Sequence, residues 1–208
     1  LNVNTDNTII NARTALSAMS QGHLILNSNL YTDSDNAITA RGNAVVRINE
    51  DGAHTTQLNG DINFNYDGDT SGTDVDADLV INLNGENSYW NGNSKVTWSA
   101  NAGNESNITD ETLKVTGLNL QLNNGAQWNP VAIDEEGTVG TDASGTKYTA
   151  MNNLTLNNGV VDLKNLDNQQ LKIEKIDGNN GTVNVYSLKK NQVSIESKDT
   201  DTQLNING

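Results

Sequence analysis

The chain has 208 residues, a formal net charge of −14 and a sequence pI near 4.2. It has no Lys/Arg surplus to neutralise phosphates, which argues against nucleic acid as a partner and disfavours docking on anionic lipid. Cysteine is absent, proline occurs once, at Pro130, and Asn makes up about a sixth of the residues.

A chain of this length without cysteine must be stable through packing and backbone pairing alone. Such an unstapled secreted chain suits a bacterial surface better than a disulfide-dense ectodomain. No apolar run approaches the roughly 20 residues that cross a bilayer, so direct membrane insertion is not expected. The sequence starts at Leu1 without a Met or a signal peptide and is read as a fragment of a longer secreted protein.

In chain order, the first feature is the best helix candidate, residues 12–20, with Ala15, Leu16 and Met19 on one face; a loop fits it equally well. From there apolar residues recur at i, i+2, the strand period. The runs are Leu24/Leu26, Val46/Ile48, Ile62/Phe64/Tyr66, Leu79/Ile81/Leu83, Val96/Trp98 and Leu113/Val115. They continue as Leu118/Leu120/Leu122, Leu154/Leu156, Val161/Leu163, Leu171/Ile173, Val183/Val185, Val193/Ile195 and Leu204/Ile206. The intervening residues are mostly Asn, Thr, Asp, Lys and Ser, so one side of each strand is buried and the other wet. Low hydrophobicity alone would also fit disorder; the alternation argues against it.

The strands end in a repeated phrase: Leu58-Asn59-Gly60, Leu83-Asn84-Gly85, Leu122-Asn123-Asn124-Gly125, Leu156-Asn157-Asn158-Gly159 and Ile206-Asn207-Gly208. Asn-Gly tolerates positive φ, so each copy marks a turn. Two architectures compete: hairpins in a sandwich or barrel, or corners of a parallel β-helix in which three short strands make a rung of roughly 20 residues. The β-helix is preferred. The strands are short for a sandwich core, and the phrases recur at intervals that fit whole rungs plus insertions. Stacked Asn amides, moreover, form hydrogen-bonded ladders. Insertions are expected at residues 67–78, 100–111 and 134–147. No domain linker is visible, so residues 1–208 are read as one stack. Its C-terminal rungs, dense in Leu/Ile/Val pairs, are expected to be the last to exchange amide protons.

The last third resembles the passenger domains of bacterial autotransporters (type V secretion). The residues that carry the resemblance are Ala126-Gln127-Trp128 after Leu122-Asn123-Asn124-Gly125, and Asn153-Leu154-Thr155-Leu156-Asn157-Asn158-Gly159-Val160-Val161-Asp162-Leu163. With them go Leu171-Lys172-Ile173, Ile176-Asp177-Gly178-Asn179-Asn180-Gly181-Thr182-Val183-Asn184-Val185 and Asn191-Gln192-Val193-Ser194-Ile195, which are similar to the segment that caps the passenger's β-helix. The resemblance covers roughly residues 115–208. It implies a right-handed parallel β-helix, exported across an outer membrane and displayed on the cell surface. It carries over no functional residue.

The catalytic signals are thin. There is no Gly-x-Ser-x-Gly phrase, and the two histidines, His23 and His54, read as solvated loop residues rather than triad members. Asp74, Asp76 and Asp78 alternate along a potential strand face, but nearby rings for a sugar to stack upon are lacking, and a solvated acidic loop is the better reading. Tyr89-Trp90 and Trp98 are read as core or rung-edge packing in preference to a sugar-stacking patch, and Trp128 as closing a rung. No nucleotide, zinc or haem pattern is present. The expected function is that of a non-enzymatic adhesin engaging a host or bacterial surface protein or glycan, or another copy of itself. The alternative is the structural stalk of a passenger whose carbohydrate-active or proteolytic part lies outside this fragment.

One metal pattern remains. Counted from Asp67, the segment to Asp78 places oxygen side chains at positions 1, 3 and 5 (Asp67, Asp69, Ser71), Gly72 at 6 and an acid, Asp78, at 12, the spacing of a calcium loop. The shorter Asp at position 12 and the flanking strands depart from the usual pattern, and a hydrated acidic loop is preferred. A calcium site here would raise the melting temperature in millimolar calcium relative to chelator, and Asp69→Ala would abolish the rise. Equal melting temperatures in the two buffers rule the site out.

Overall fold

A computed structural model of the chain describes residues 2–3, 5–42, 44–67, 78–99, 118–132, 140–141, 147–199 and 201–208. Within them the chain is a parallel β-helix of eight stacked rungs. The first rung holds β1 (Asn2–Val3), β2 (Asn7–Asn11) and β3 (Thr14–Met19), and the second β4 (His23–Leu26) and β5 (Asn29–Arg41). The third holds β6 (Val45–Ile48) and β7 (Thr56–Asp67), the fourth β8 (Asp78–Asn84), β9 (Tyr89–Asn91) and β10 (Ser94–Ser99), and the fifth β11 (Leu118–Asn123) and β12 (Gln127–Asn129). Next come β13 (Gly140–Thr141), β14 (Lys147–Asn157) and β15 (Val160–Asp162), then β16 (Gln170–Asp177) and β17 (Gly181–Asn184), and finally β18 (Gln192–Lys198) and β19 (Leu204–Asn207). The short β13 is antiparallel to β14; every other strand pairing is parallel.

The strands form three faces. β1, β4, β6, β8, β11, β14, β16 and β18 make the first. β2, the first part of β5, the first part of β7, β9, β12, β15, β17 and β19 make the second. β3, β10 and the remaining parts of β5 and β7 make the third, which continues in the sixth and seventh rungs as 3₁₀ turns at Leu163–Asn165 and Ser187–Lys189. The bare repeat is 22 residues: His23 pairs with Val45, Leu154 with Ile176 and Leu171 with Val193. Between Leu79 and Leu118, and between Leu120 and Leu154, the interval is longer because the expected insertions fall there. Residues 68–77, 100–117, 133–139 and 142–146 lie outside the described set, as does the Leu113/Val115 pair.

Parallel, in-register pairing lays like residues over like. Leu26, Ile48, Ile81, Leu120, Leu154 and Ile176 form one inward column of the first face, each at most 1% exposed. On the second face the inward column is Ile10, Thr32, Leu58, Trp90, Trp128, Val161, Val183 and Ile206. Trp90 and Trp128 are fully buried, and their rings stack with centroids 5.0 Å apart and planes 7° apart. Each indole Nε1 donates to the corner carbonyl of the rung before it: Trp90 to Gly60 O and Trp128 to Gly92 O, both at 2.9 Å. The corner requires Gly60, whose φ of +118° suits only glycine and whose Cβ would lie 2.2 Å from Ser34 O.

Two expectations change. Residues 12–20 contain strand β3 and no helix, because Leu16 and Ala18 alternate inward over Ile38 and Ala40; tertiary pairing overrides a weak helical pattern. Some strands are not short as expected: β5 has 13 residues and β7 has 12. Both run through a corner, β5 by a register shift between Asp33 and Ile38. Burial also bears on which amides of the 208-residue chain exchange last. Val193, Ile195 and Leu204 are only partly buried and Ile206 is 56% exposed, whereas the apolar columns of the middle rungs are buried. The slowest amide exchange is therefore expected in the third to sixth rungs.

Replacing Trp90 by Ala opens a cavity, unstacks Trp128 and leaves Gly60 O without its indole partner. Urea unfolding should show a loss of about 3–5 kcal/mol, against well under 1 kcal/mol for Leu188→Ala, whose side chain is 98% exposed.

Candidate functional site

The abundant Asn residues do two separate jobs. Some are buried plugs that close corners. Asn49 is fully buried; its Nδ2 donates to His54 O (2.8 Å) and Asn82 O (3.0 Å), and its Oδ1 accepts from His54 N (2.9 Å). Asn191, 4% exposed, donates to Leu163 O (2.8 Å) and Leu166 O (3.0 Å) and accepts from Tyr186 N (2.7 Å). In both cases the amide satisfies backbone groups that a turn would otherwise leave buried and unpaired.

The other Asn residues form ladders along the stack. Asn91 Nδ2 donates to Asn59 Oδ1 (2.8 Å), and Asn129 Nδ2 donates to Asn91 Oδ1 (2.9 Å). A second ladder runs Asn157 to Asn123 (3.0 Å) to Asn82 (2.8 Å), with Asn124 to Asn84 beside it (2.8 Å). Shorter ladders join Asn29 to Asn7, Asn63 to Asn36 and Asn207 to Asn184. The repeated turn phrase thus sorts into two corners. Asn59 and Asn207 stand between the second and third faces, and Asn84, Asn123 and Asn157 between the first and second.

Beside the Asn59–Asn91–Asn129 ladder, the outward side of the second face carries one unbroken column: Ile9, Tyr31, Gln57, Tyr89, Gln127, Val160, Thr182 and Asn205. Tyr31, Gln57, Tyr89 and Gln127 are half-buried by their neighbours, and Ile9 at the end is 77% exposed. Gln57 Nε2 donates to Asn87 O at 3.0 Å, which fixes the amide against the Tyr89 rung. Across three rungs this column and its Asn ladder hold no carboxylate and no cation. The acidic excess lies along the same length of the axis but off this column: residues 1–146 hold 19 acidic and 5 basic side chains, whereas residues 147–208 hold 7 of each.

The residues singled out in the sequence are scattered. Asp67 ends β7, its backbone paired with Ser99, while Asp78 begins β8 and pairs with Val45; Asp69, Ser71, Asp74 and Asp76 lie outside the described residues. Among the described residues no group of three His, Asp or Glu is placed to hold a metal. His23 opens β4 on the first face. His54 sits in a corner with Nε2 3.8 Å from Asp51 Oδ2, and its N–H and C=O are both taken by Asn49. Trp90 is core and Tyr89 faces out, so the Tyr89-Trp90 pair splits between interior and surface. The side chain of Trp98 is not among those described. A polar groove of about 730 Å³ at the first corner of the last rungs brings Asp177 and Asp201 together with Asn157 and Asn179, but one Asp177 oxygen already accepts from Gly178 N (2.6 Å). The Tyr186 phenol is held above its ordinary pKa, first by a hydrogen bond to Asp162, then by burial and by the Asp162 charge. Comparison of the chain with protein-family models, curated proteins and solved structures finds no match.

Plugs and ladders differ in energetic weight. Asn49→Ala and Asn191→Ala should each cost about 1–3 kcal/mol in urea unfolding, because buried carbonyls and N–H groups lose their partners. Asn207→Ala, at the exposed end of a ladder, should stay within about 0.5 kcal/mol.

Proposed function

We propose that this chain is part of a non-enzymatic, surface-displayed adhesin of the autotransporter-passenger kind, exported across an outer membrane. It attaches through its outward faces to a protein or glycan on a host or bacterial surface, or to another copy of itself. One observation carries the reading: the second face presents an outward column that runs unbroken through eight rungs. At roughly 4.8 Å per rung, this is a track of about 34 Å. Its amide, hydroxyl and ring-bearing side chains suit many weak contacts made in parallel. A rigid solenoid holds such groups at fixed spacing, so little ordering entropy opposes attachment. Absence of cysteine and a net charge of −14 fit a chain that stays extended and soluble outside the cell.

Beads coated densely with the 208-residue chain should adhere to epithelial or bacterial cells and clump with one another. The effect should grow as salt rises from low to physiological concentration, because screening weakens repulsion between acidic surfaces. Beads that neither adhere nor clump at high coating density overturn the reading.

A further inference from the structure

We propose that the outward column of the second face is a binding track for a neutral, extended, β-1,4-linked polysaccharide, with sugar rings stacked on Tyr31 and Tyr89. This rests on the adhesin reading above and gives it a ligand class. Tyr31, Gln57 and Tyr89 occupy consecutive rungs in direct register, so the two tyrosines stand two strand spacings apart, about 9.6 Å. A β-1,4-linked pyranose chain turns over at each linkage and presents the same ring face at every second sugar, a period close to that distance. A chain lying along the stack axis therefore offers equivalent C–H faces to both phenol rings, the contact by which aromatic side chains hold sugars.

The groups around the tyrosines match hydroxyls. Gln57 and Gln127 alternate with Tyr89 in the column, and Asn59 and Asn91 run beside it. In its ladder Asn91 uses one amide hydrogen and one oxygen lone pair, which leaves one donor and one acceptor site. A sugar hydroxyl is both donor and acceptor and suits that remainder. The local absence of charge sets the ligand class. Gln57, Asn59, Tyr89, Asn91, Gln127 and Asn129 contribute no ion to pair with a uronate or sialate, and the one charge beside the stacking rings, the exposed Asp33 in register with Asn59 on the Tyr31 rung, repels one. A peptide adding as a strand is disfavoured, because the backbone groups of this face are spent in the stack. A second copy brings the same negative field to the face.

The test is calorimetric titration of the full chain with cellohexaose and mannohexaose, with a hexauronate as the charged counterpart. A neutral hexasaccharide should bind weakly and the hexauronate should not. Tyr31→Ala and Tyr89→Ala should each weaken binding roughly three- to tenfold, and Tyr31→Phe should bind like the wild type. Circular dichroism of each variant reports whether the fold is retained; both tyrosines point outward, so it should be. The proposal is overturned if neither neutral hexasaccharide binds, if the folded double alanine variant binds undiminished, or if the hexauronate binds better. Bead adhesion separates this from the adhesin reading. Beads coated with the double variant that still adhere fully would overturn the track and leave the adhesin standing. Wild-type chain that binds the sugar but gives inert beads would support the track and overturn the adhesin.

Discussion

Everything in this molecule depends on pairing each rung in parallel and in register with the one before. In that geometry a residue sees, above and below, the residues at its own position in neighbouring rungs. An amide has a donor and an acceptor on opposite sides, so an Asn between two others can be satisfied in both directions, as Asn91 is between Asn59 and Asn129. Leu over Ile over Leu is likewise dry on both sides. The high Asn content and the alternating apolar residues express the same constraint, acting at the corners and along the faces. The two stacked tryptophans add a further tie, since each indole reaches back to the preceding corner and couples core packing to the backbone turn.

The adhesive reading and the glycan track draw on what the register leaves over. Inward columns are consumed by packing and corner amides by ladders and plugs, so outward columns are where the sequence is released from the core's demands, and that of the second face differs from that of the first in carrying tyrosines in place of Arg47 and Lys175. Aromatic rings there are not required for folding, yet Tyr31 and Tyr89 occupy it with a glutamine between them. Charge is distributed with a similar division. The acidic excess sits in residues 1–146, while residues 147–208 are balanced, with pairs such as Lys175–Asp199 at 3.1 Å.

Much of the fold was legible because strand alternation and Asn-Gly corners are local signals. The rung of three faces and the amide ladders followed from them; the full burial of Trp90 and Trp128 did not, since Trp90 reads equally as core or rung edge and Trp128 as closing a rung. Strand β3 was not legible, since Ala15, Leu16 and Met19 satisfy a helical pattern and only pairing with β5 decides otherwise. The outward column was missed because its members lie at unequal intervals, which insertions disguise. A signal was nevertheless present. Gln57-Leu58-Asn59-Gly60, Tyr89-Trp90-Asn91-Gly92 and Gln127-Trp128-Asn129-Pro130 align on the corner, and that alignment places Gln57, Tyr89 and Gln127 over one another. The calcium pattern was legible only as spacing, and the structure does not bring its residues into one described site.

Two of the insertions leave and re-enter the stack at positions paired with each other, which bears on how the chain can change. β7 ends at Asp67 and β10 at Ser99, which pair with each other; the chain returns at β8 and β11, where Leu79 and Leu118 pair in turn. Departure and return points are thus clamped by neighbouring rungs whatever lies between them. Doubling the length of a flexible connection costs only about 0.6 kcal/mol, so this edge can accept new segments of very different length while the register on either side holds. It is a grafting port, where an epitope or a small folded module spliced between residues 67 and 78 would leave and re-enter the stack at positions that the supporting rungs hold.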